Sequence, residues 1–327
     1  MDGISVLIRA KDEALGLPAT LRAIARQRID VPVEVVVVDS GSTDGTVEIA
    51  TAAGARVVHL DTYRPGLAVN VGMRAARGPV VVLISASAFP ADDGWLAALV
   101  APLRAGDERL AGTFGRNLPV PGVSPIEEPL LDRIFSETAT GAPLSFTNAA
   151  VRRDVWEWFP CDETIASGGG DDREWAARVR RAGLRFAYVP GSAVHRSHGL
   201  TAAGWYSRMT ADAASDRIVE RAGGEVIAPG GSRAGMAVPT LAHLVRGRRW
   251  TDLVRAPLVV GSVAAGRWAG ARDAPPAPLG RAMGALGGLD DRVFAVRARA
   301  RRATEEFLSG YWANAGTTAP AGHPPDR

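Results

Sequence analysis

The chain has 327 residues, of which 46% are hydrophobic and 22% are charged, as is usual for a globular protein with a full core. This length exceeds the roughly 100 to 200 residues of most single domains, so we expect one large domain with an appendage, or two domains. The formal net charge of +3 is too small to indicate a nucleic-acid-binding protein. The single cysteine, Cys161, excludes an internal disulfide and a cysteine-built metal site, and we expect a buried structural thiol there.

The N-terminal segment MDGISVLIRAKDE lacks the basic start and the long apolar region of a signal peptide. The longest uncharged apolar run, residues 256–266, is about half of the ~20 residues that are needed to span a bilayer. We therefore expect a cytoplasmic protein without a transmembrane helix.

Four short runs in the first part of the chain are rich in β-branched residues and almost continuously apolar, which is typical of strands buried on both faces: residues 4–8, 33–39, 56–60 and 80–85. Between them lie stretches of helical character at 17–27, 46–53 and 68–76. This alternation predicts βαβ units and a mainly parallel sheet. A helix from about Asp172, a stop at Gly183 and a strand at 185–189 continue the pattern.

The character of the sequence changes at about residue 225. We predict loops at 228–239 and 273–280, short arginine-rich helices between them, and a disordered tail. The predicted organisation is a domain of residues 1–224, a helical extension of residues 225–312 and a tail of residues 313–327. Residues 243–272 mix apolar side chains with arginine and tryptophan, which suits a helix lying on an anionic membrane; packing on the sheet or on another subunit would give the same composition.

The residues that follow the strands are the candidate ligand-binding residues, because open α/β sheets bind ligands at the carboxyl ends of their strands. Asp39 ends the second strand in VVVVDSGSTDGT, where its carboxylate can accept hydrogen bonds from a ribose or a base. Asp44, in the same turn, is either a second ligand group or the cap of the next helix. The turn contains neither a Walker loop nor a G-x-G-x-x-G dinucleotide loop.

Three further segments carry polar side chains at comparable places. Asn70 lies on the third predicted helix, where its amide faces a phosphate or sugar, or else solvent. In GGGDDREW, Asp171 and Asp172 follow three glycines at a helix start, so one of them can act as a general base, or both are ordinary first-turn acids. His195 and His198 follow a strand and can bind a divalent ion only if carboxylates join them.

The chain resembles the inverting glycosyltransferases of family 2 over about residues 3–205, with bacterial rhamnosyltransferase-type sugar transferases as the most similar group. The resemblance is carried, in this order, by IRAKDE, VVVVDSGSTDGT, PGLAVNVGMRAARG, SASAFPADDGWL, GRNLP, SFTNAAVRRDVWE, GGDDREWAARVRRAG and YVPGSAVHRSH. It implies an α/β fold of the GT-A type, with a mainly parallel nucleotide-binding sheet flanked by helices and a C-terminal helical extension. It also implies a nucleoside diphosphate sugar donor and an acceptor hydroxyl on a glycan, a lipid-linked molecule or a small molecule, in cell-envelope or polysaccharide biosynthesis.

The resemblance further implies roles for single residues, each assigned by its position in these segments. Asp172 is the expected base, which removes the proton of the acceptor hydroxyl. Donor or nucleotide contacts are expected from Arg9, Asp39, Asp44, Asn70 and Ser87. The acceptor or sugar side is expected to include Arg116, Asn148, Asp171 and Trp175. His198, and less directly His195, matches a histidine that completes the metal or diphosphate site.

Ser87 is the main departure from the family pattern, because many relatives carry there an aspartate that holds Mg²⁺ or Mn²⁺ on the diphosphate, and some carry histidine. A hydroxyl is a poor sole ligand for a hard divalent cation. Three explanations stay open: weak metal binding through Ser87 and His198, metal-independent catalysis with arginine or helix dipoles on the diphosphate, or loss of activity.

Two alternatives to a sugar transferase also stay open. One is a nucleotidyltransferase of similar architecture, although the glycine-rich basic loop that it needs near the N-terminus is missing from IRAKDEALGLP. The other is a catalytically silent nucleotide-sugar-binding or scaffolding protein of the same fold, which Ser87 suggests.

Overall fold

The computed structural model describes residues 3–124, 127–139, 142–165, 170–223, 240, 242–272 and 277–315. Its strands are β1 Ile4–Ala10, β2 Val33–Asp39, β3 Arg56–His59, β4 Val80–Ser85, β5 Phe89–Pro90, β6 Leu110–Leu118, β7 Asn148–Arg152 and β8 Arg185–His195. Its helices are α1 Leu17–Ala25, α2 Thr46–Ala52, α3 Pro65–Ala75, α4 Trp95–Arg104, α5 Glu128–Ile134, α6 Arg153–Trp158, α7 Asp171–Arg181, α8 Ala202–Arg221, α9 Trp250–Gly270, α10 Ala277–Phe294 and α11 Val296–Ala315.

The predicted strands and helices of the first part of the chain are confirmed, with boundaries that shift by a few residues. Gly183 ends the helical segment with a φ of 85°, as predicted. β8 continues to His195 instead of ending at Val189, because the sheet accommodates Pro190 and Gly191 in an irregularity of register opposite Gly115.

One mixed sheet contains the eight described strands in the order β3-β2-β1-β4-β7-β6-β8-β5. β1 to β4 are parallel to one another, whereas β7 is antiparallel to both β4 and β6. The chain moves outward from β1 to β3 and then returns to place β4 on the other side of β1. Such a change of direction opens a crevice at the carboxyl ends of the strands, which is where ligands bind in open α/β sheets.

Helix layers cover the two faces of the sheet, and β1 shows how the sequence produces this arrangement. Val6 and Ile8 point into a core shared with α1 and α4, while Leu7 points into a second core shared with α3 and α7. All three side chains are at most 1% exposed. Since burying one such side chain stabilises the fold by about 1.5 to 3 kcal/mol, an almost continuous apolar run is what a strand between two cores requires.

The C-terminal helices pack on one another around buried charges. Asp290 of α10 accepts hydrogen bonds from Arg255 of α9 at 2.7 Å and from the backbone N–H of Ala202 at 2.7 Å, at the start of α8. Asp216 of α8 pairs with Arg173 of α7 at 2.8 Å and is also paired with α9. α8 therefore joins the helical extension to the helix that carries the predicted base.

The last helix returns to the sheet. The rings of Phe307 and Tyr311 in α11 lie 5.9 Å and 6.4 Å from the ring of Phe89 in β5, and the Tyr311 hydroxyl donates to the carbonyl oxygen of Pro90 at 2.6 Å. The described residues include no helix that is both long and apolar enough to cross a membrane.

Two predictions about the C-terminal part need correction. The predicted break at 273–280 is wrong for residues 277–280, which start α10, and the predicted tail is wrong for residues 313–315, which end α11. The proline-rich composition concealed the helix start at 277, since proline is tolerated in a first helical turn. The predicted boundary at 225, the loop at 228–239 and residues 316–327 lie outside the described residues.

Candidate active site

The loops that follow β1 and β2 are joined by hydrogen bonds and form one rim of the crevice. Asp12, with a φ of 53°, accepts from the N–H of Thr43 at 2.9 Å and donates its own N–H to Ser42 at 2.8 Å. Asp44 accepts from the N–H of Ala14 at 2.9 Å through one oxygen and from both the N–H and the hydroxyl of Thr46 through the other. Because both of its oxygens accept hydrogen bonds within the loops, Asp44 holds the loops together and is not free to bind the nucleotide sugar.

Asp39 has the one arrangement in this rim that calls for a ligand. Its side chain is buried, and Oδ2 accepts from the N–H groups of Gly41 and Ser42 at 3.0 Å and 3.1 Å. Oδ1 is also buried but has no hydrogen-bond partner. A buried acceptor without a partner is costly, so a hydroxyl or N–H donated by a bound nucleotide would relieve that cost.

Glu13 is a site residue that the sequence analysis missed. Its carboxyl group forms a hydrogen bond with Ser87, and burial, together with the nearby Asp44 and Asp12, raises its pKa to about 7 although that hydrogen bond opposes the change. A Cβ at Gly16 would lie 3.0 Å from the Cβ of Ser87, so the close approach of α1 to this turn favours glycine. The signal that was overlooked is an acidic residue a few positions after the carboxyl end of the central strand.

Asp172 lies in the first turn of α7, beside a cavity of about 210 Å³. The helix begins after Gly170, whose φ of 107° belongs to the left-handed region that favours glycine. Asp172 Oδ1 accepts from the N–H of Arg173 at 2.8 Å, and Oδ2 accepts from the N–H of Phe146 at 3.3 Å. Burial, followed by the charge of Asp171, raises the pKa of Asp172 to about 6. A carboxylate with such a pKa is ionised at pH 7 and more basic than an ordinary aspartate.

Two residues expected on the acceptor or sugar side lie in the interior instead. Asp171 pairs with Arg9 at 2.9 Å, and only 4% of its side chain is exposed. This ion pair joins β1 to α7 and occupies the guanidinium of Arg9, which was expected beside the nucleotide. Trp175 is 1% exposed, stacks near Phe146 and Phe186, and donates its indole N–H to a backbone carbonyl. It is therefore part of the core.

The two asparagines also have structural roles. Asn70 Nδ2 donates to Cys161 O and Glu163 Oε1, and its Oδ1 accepts from the Trp156 indole and the Cys161 N–H. Asn148 accepts from the indole of Trp95 and donates to the carbonyl oxygens of Arg116 in β6 and Ser192 in β8. Both are almost completely buried, so these amides connect segments and do not face the crevice. Cys161 is a buried free thiol, as predicted.

Arg116 lies near the end of β6 with 22% of its side chain exposed, and it pairs with Glu137 at 2.9 Å. Its Nε is buried without a hydrogen-bond partner. Arg116 thus stays a candidate for the sugar or acceptor side.

His198 was expected as a metal ligand, but both of its ring nitrogens have partners. Nδ1 lies 3.0 Å from Glu127 Oε1, and Nε2 lies 3.2 Å from Arg208 Nη1. Burial and the charges of Arg196 and Arg208 lower the pKa of His198 to about 4, so the ring is neutral. A neutral ring that donates from Nδ1 to Glu127 accepts from Arg208 with its other nitrogen, which leaves no lone pair for a metal.

The site residues do not fit a divalent metal. Ser87 is neutral and forms a hydrogen bond with Glu13. The ring of His195 lies 5.0 Å from the ring of Phe307, centre to centre, and its Nδ1 lies near a carbonyl oxygen. Across the described parts of the chain, no group of three or more His, Cys, Asp or Glu side chains is placed to hold a metal ion. Mg²⁺ and Mn²⁺ prefer several oxygen ligands, including carboxylates.

Comparison with known proteins identifies the family. The family model described as Glycosyl transferase family 2 matches residues 5–155. Residues 5–155 belong to glycosyl transferase family 2. An uncharacterized glycosyltransferase of Mycobacterium tuberculosis is 36% identical over 122 residues, which are 37% of this chain and 52% of that protein. Glucosyl-3-phosphoglycerate synthase of Mycolicibacterium paratuberculosis is 33% identical over 112 residues, which are 32% of this chain and 34% of that protein.

The chain therefore spans about half the length, or less, of these curated relatives. Among solved structures, the mannosyltransferase of Pyrobaculum calidifontis in complex with GDP-Man and Mn²⁺ superposes on 93% of this chain and 86% of that chain, with a TM-score of 0.52 and 20% identity. This likeness concerns the fold. The predicted GT-A type α/β fold and the family 2 resemblance are both confirmed.

Proposed function

We propose that this family 2 chain transfers a sugar from a nucleoside diphosphate sugar to an acceptor hydroxyl, with inversion at the anomeric carbon. The observation that carries the proposal is Asp172, a half-buried carboxylate with a pKa of about 6 that faces a cavity at the carboxyl edge of the sheet. Asp39, with its unpaired Oδ1, lies on the same edge. Family membership supports sugar transfer from a nucleotide-activated donor.

In the proposed reaction, Asp39 accepts a hydrogen bond from the ribose or the base and so positions the nucleotide. Asp172 removes the proton of the acceptor hydroxyl while the oxygen of that hydroxyl forms a bond to the anomeric carbon. The bond from that carbon to the diphosphate oxygen breaks at the same time, and its electron pair leaves with the nucleoside diphosphate. A single displacement of this kind needs one base and a stabilised leaving group, and it needs no covalent nucleophile. The acceptor is a glycan, a lipid-linked molecule or a small molecule.

The test is hydrolysis and transfer of a panel of UDP-, GDP- and dTDP-sugars by the wild type and by Asp172→Asn, with EDTA or with Mn²⁺. The donor is first identified as the nucleotide sugar that most raises the temperature of unfolding, since a ligand that binds only the folded state stabilises it. We expect the wild type to turn over that donor and Asp172→Asn to bind it with turnover lowered about 10²- to 10⁴-fold. An α-configured product from an α-configured donor would refute inversion.

Ser87 favours a second candidate function, that of a silent nucleotide-sugar-binding protein. The turn after β4 offers a neutral hydroxyl where many relatives have a metal-binding aspartate. In this case, the wild type would be stabilised by a nucleotide sugar but would turn over no donor in either EDTA or Mn²⁺. The same panel therefore separates the two functions.

We also propose a cytoplasmic location with peripheral contact between the C-terminal helices and an anionic membrane surface. Trp250 and Val254, one turn apart on α9, are 61% and 71% exposed, and Leu289 and Val293 on α10 are 49% and 61% exposed. An apolar stripe next to arginines is the composition of helices that lie in a membrane interface. Such contact would bring the crevice near a lipid-linked acceptor.

A further inference from the structure

Arg196 directly follows β8 and lines the same cavity as Asp172. Its Nη1 donates to the hydroxyl of Thr147 at 2.8 Å, and that hydroxyl lies 3.5 Å from the hydroxyl of Ser85 at the end of β4. The neighbouring residue, Phe146, donates its N–H to Asp172. Two consecutive residues thus hold the guanidinium and the base, and the hydroxyl that binds the guanidinium lies near the end of β4.

Arg196 differs from two other arginines around the cavity in its ion pairing. Arg173 and Arg267 are both paired with Asp216, at 2.8 Å and 2.6 Å. Within the described ranges, Arg196 forms no direct ion pair with a carboxylate, and its Nε is buried without a hydrogen-bond partner. The Arg196 side chain is half-buried, and a partly desolvated cation with an unused donor is stabilised when an anion enters its cavity.

The surroundings of Arg196 support this reading of its charge. Burial, followed by the neighbouring Arg208, lowers the pKa of Arg196 to about 10, although Glu127 and Asp172 act in the opposite direction. The guanidinium is still protonated at pH 7. Arg196 and Arg208 line the cavity together with the carboxylates of Glu127, Asp172 and Asp212, and the planar fork of a guanidinium matches the geometry of a phosphate.

We propose that Arg196 binds the diphosphate of the donor and supplies the positive charge that stabilises the leaving group without a divalent metal. This inference rests on the proposed function, because it concerns the leaving group of that reaction. It agrees with the neutral Ser87 and with the occupied ring nitrogens of His198, which together do not fit a metal.

The chemistry needs no further reactant. As the bond between the anomeric carbon and the diphosphate oxygen breaks, its electron pair moves onto the β-phosphate group. The N–H groups of Arg196 donate to that group and remain protonated, so the only proton transfer is from the acceptor hydroxyl to Asp172. Charge-assisted hydrogen bonds to an oxyanion strengthen as negative charge develops.

The test compares the binding of a nucleoside diphosphate and of the matching monophosphate, using UDP with UMP and GDP with GMP, by calorimetry in EDTA. We expect the wild type to bind the diphosphate more tightly than the monophosphate. Arg196→Gln should weaken diphosphate binding about ten- to a hundred-fold, as expected for the loss of charged hydrogen bonds, and leave monophosphate binding unchanged. Arg196→Lys should retain part of the preference, since it keeps the charge without the fork.

Arg267→Gln is the matched control, because Arg267 lines the same cavity but is paired with Asp216. It should keep the diphosphate preference. The proposal is overturned if Arg196→Gln keeps the wild-type preference, or if the wild type prefers the diphosphate only when Mn²⁺ is added. It is also overturned if inorganic phosphate binds to the wild type saturated with diphosphate but not to Arg196→Gln, since the arginine would then serve an anionic acceptor.

The outcomes also separate this proposal from the proposed function. Binding and turnover of a donor only with Mn²⁺ would overturn the role of Arg196 and leave the transferase in place. Failure of the wild type to bind any nucleotide with or without Mn²⁺ would overturn both.

Discussion

Asp172 and Asp39 are both aspartates at the carboxyl edge of one sheet, yet their surroundings give them different chemistry. Asp39 accepts two backbone hydrogen bonds and keeps one oxygen for a ligand. Burial, followed by the neighbouring charge of Asp171, raises the pKa of Asp172, and this increase suits proton removal. The structural context of each residue thus decides whether a carboxylate binds or reacts.

The pH dependence of the transfer rate should reveal the ionisation of Asp172. Because a base must be ionised to accept a proton, we expect the rate to rise with pH through about 6, the pKa of Asp172, and then to level off. Asp172→Asn should lower the rate about 10²- to 10⁴-fold, the usual contribution of a general base. Initial rates between pH 4.5 and 8.5 give both results. If Asp172→Asn were as active as the wild type, another group would be the base.

Substitution of Ser87 tests whether the turn after β4 faces the diphosphate and a metal ion bound to it. Ser87→Asp places a second carboxylate beside Glu13, so we expect stronger Mn²⁺ binding or a new dependence of the rate on Mn²⁺. Ser87→Asn is the control, because asparagine is similar in size to aspartate but carries no charge. Titration with Mn²⁺ followed by calorimetry measures the change. If Ser87→Asp and Ser87→Asn behave alike, the loop does not face the diphosphate.

At the scale of elements, the helices after β8 are held by charges that apolar periodicity does not reveal. The Asp290 side chain is completely buried, with 0% exposure, and pairs with Arg255, which is 6% exposed. The same carboxylate accepts the N–H of Ala202 at the start of α8. One carboxylate thus joins three helices, which is why they pack together despite sequences rich in arginine.

Removal of that carboxylate should be strongly destabilising. Asp290→Ala leaves the buried guanidinium of Arg255 without its counter-ion, and we expect a loss of about 3 to 5 kcal/mol in the free energy of unfolding. Asp291→Ala is the matched control, because the side chain of Asp291 is 29% exposed, its ion pair with Arg297 is long, at 3.7 Å, and its hydrogen bond from the Arg297 N–H is exposed to solvent. We expect its cost to be within about 1 kcal/mol. Equal losses in urea denaturation would contradict the role of the buried pair.

For the whole molecule, the sequence predicted β1 to β4, β8, α1 to α3 and α7, but it did not predict β6, β7, α5 or α6, and it predicted the side-chain environments poorly. The apolar runs at 4–8 and 80–85 identify strands because periodicity is local information. The direction of β7 was not predictable, since five residues carry no signal for antiparallel pairing with both neighbours.

Several residues predicted for the site have surroundings that differ from those expected, for the same physical reason. Asn70, Asn148 and Trp175 matched the resemblance by position, but contacts between distant segments bury them. Conversely, Glu13 and Arg196 acquire their roles from neighbours far along the chain, Ser87 and Thr147. Sequence order places residues on the correct edge of the sheet, whereas only the packing of several elements decides which of them a ligand can reach.

The proposed membrane contact would be made by the assembled C-terminal surface. We expect the wild type to bind vesicles that contain anionic lipid and to bind neutral vesicles weakly. Val254→Glu combined with Val293→Glu should reduce binding at least ten-fold, because it introduces charge into the exposed apolar stripe. Trp158→Glu is the control, since Trp158 is 82% exposed on α6 within the sheet domain. Vesicle flotation measures the bound fraction, and equal losses in both variants would contradict a defined membrane face.

The carboxylate of Asp216 connects Arg173, next to the base, with Arg267 in α9. A graft that exchanges the C-terminal helices between related enzymes would therefore have to transfer both the carboxylate and the cation of α9. A chimera without the cation leaves Asp216 to Arg173 alone, whereas one without the carboxylate removes the restraint on Arg173, so that the helix start that presents Asp172 changes. Exchange of the C-terminal helices in this chain is thus limited by a shared electrostatic contact as well as by the shape of the helices.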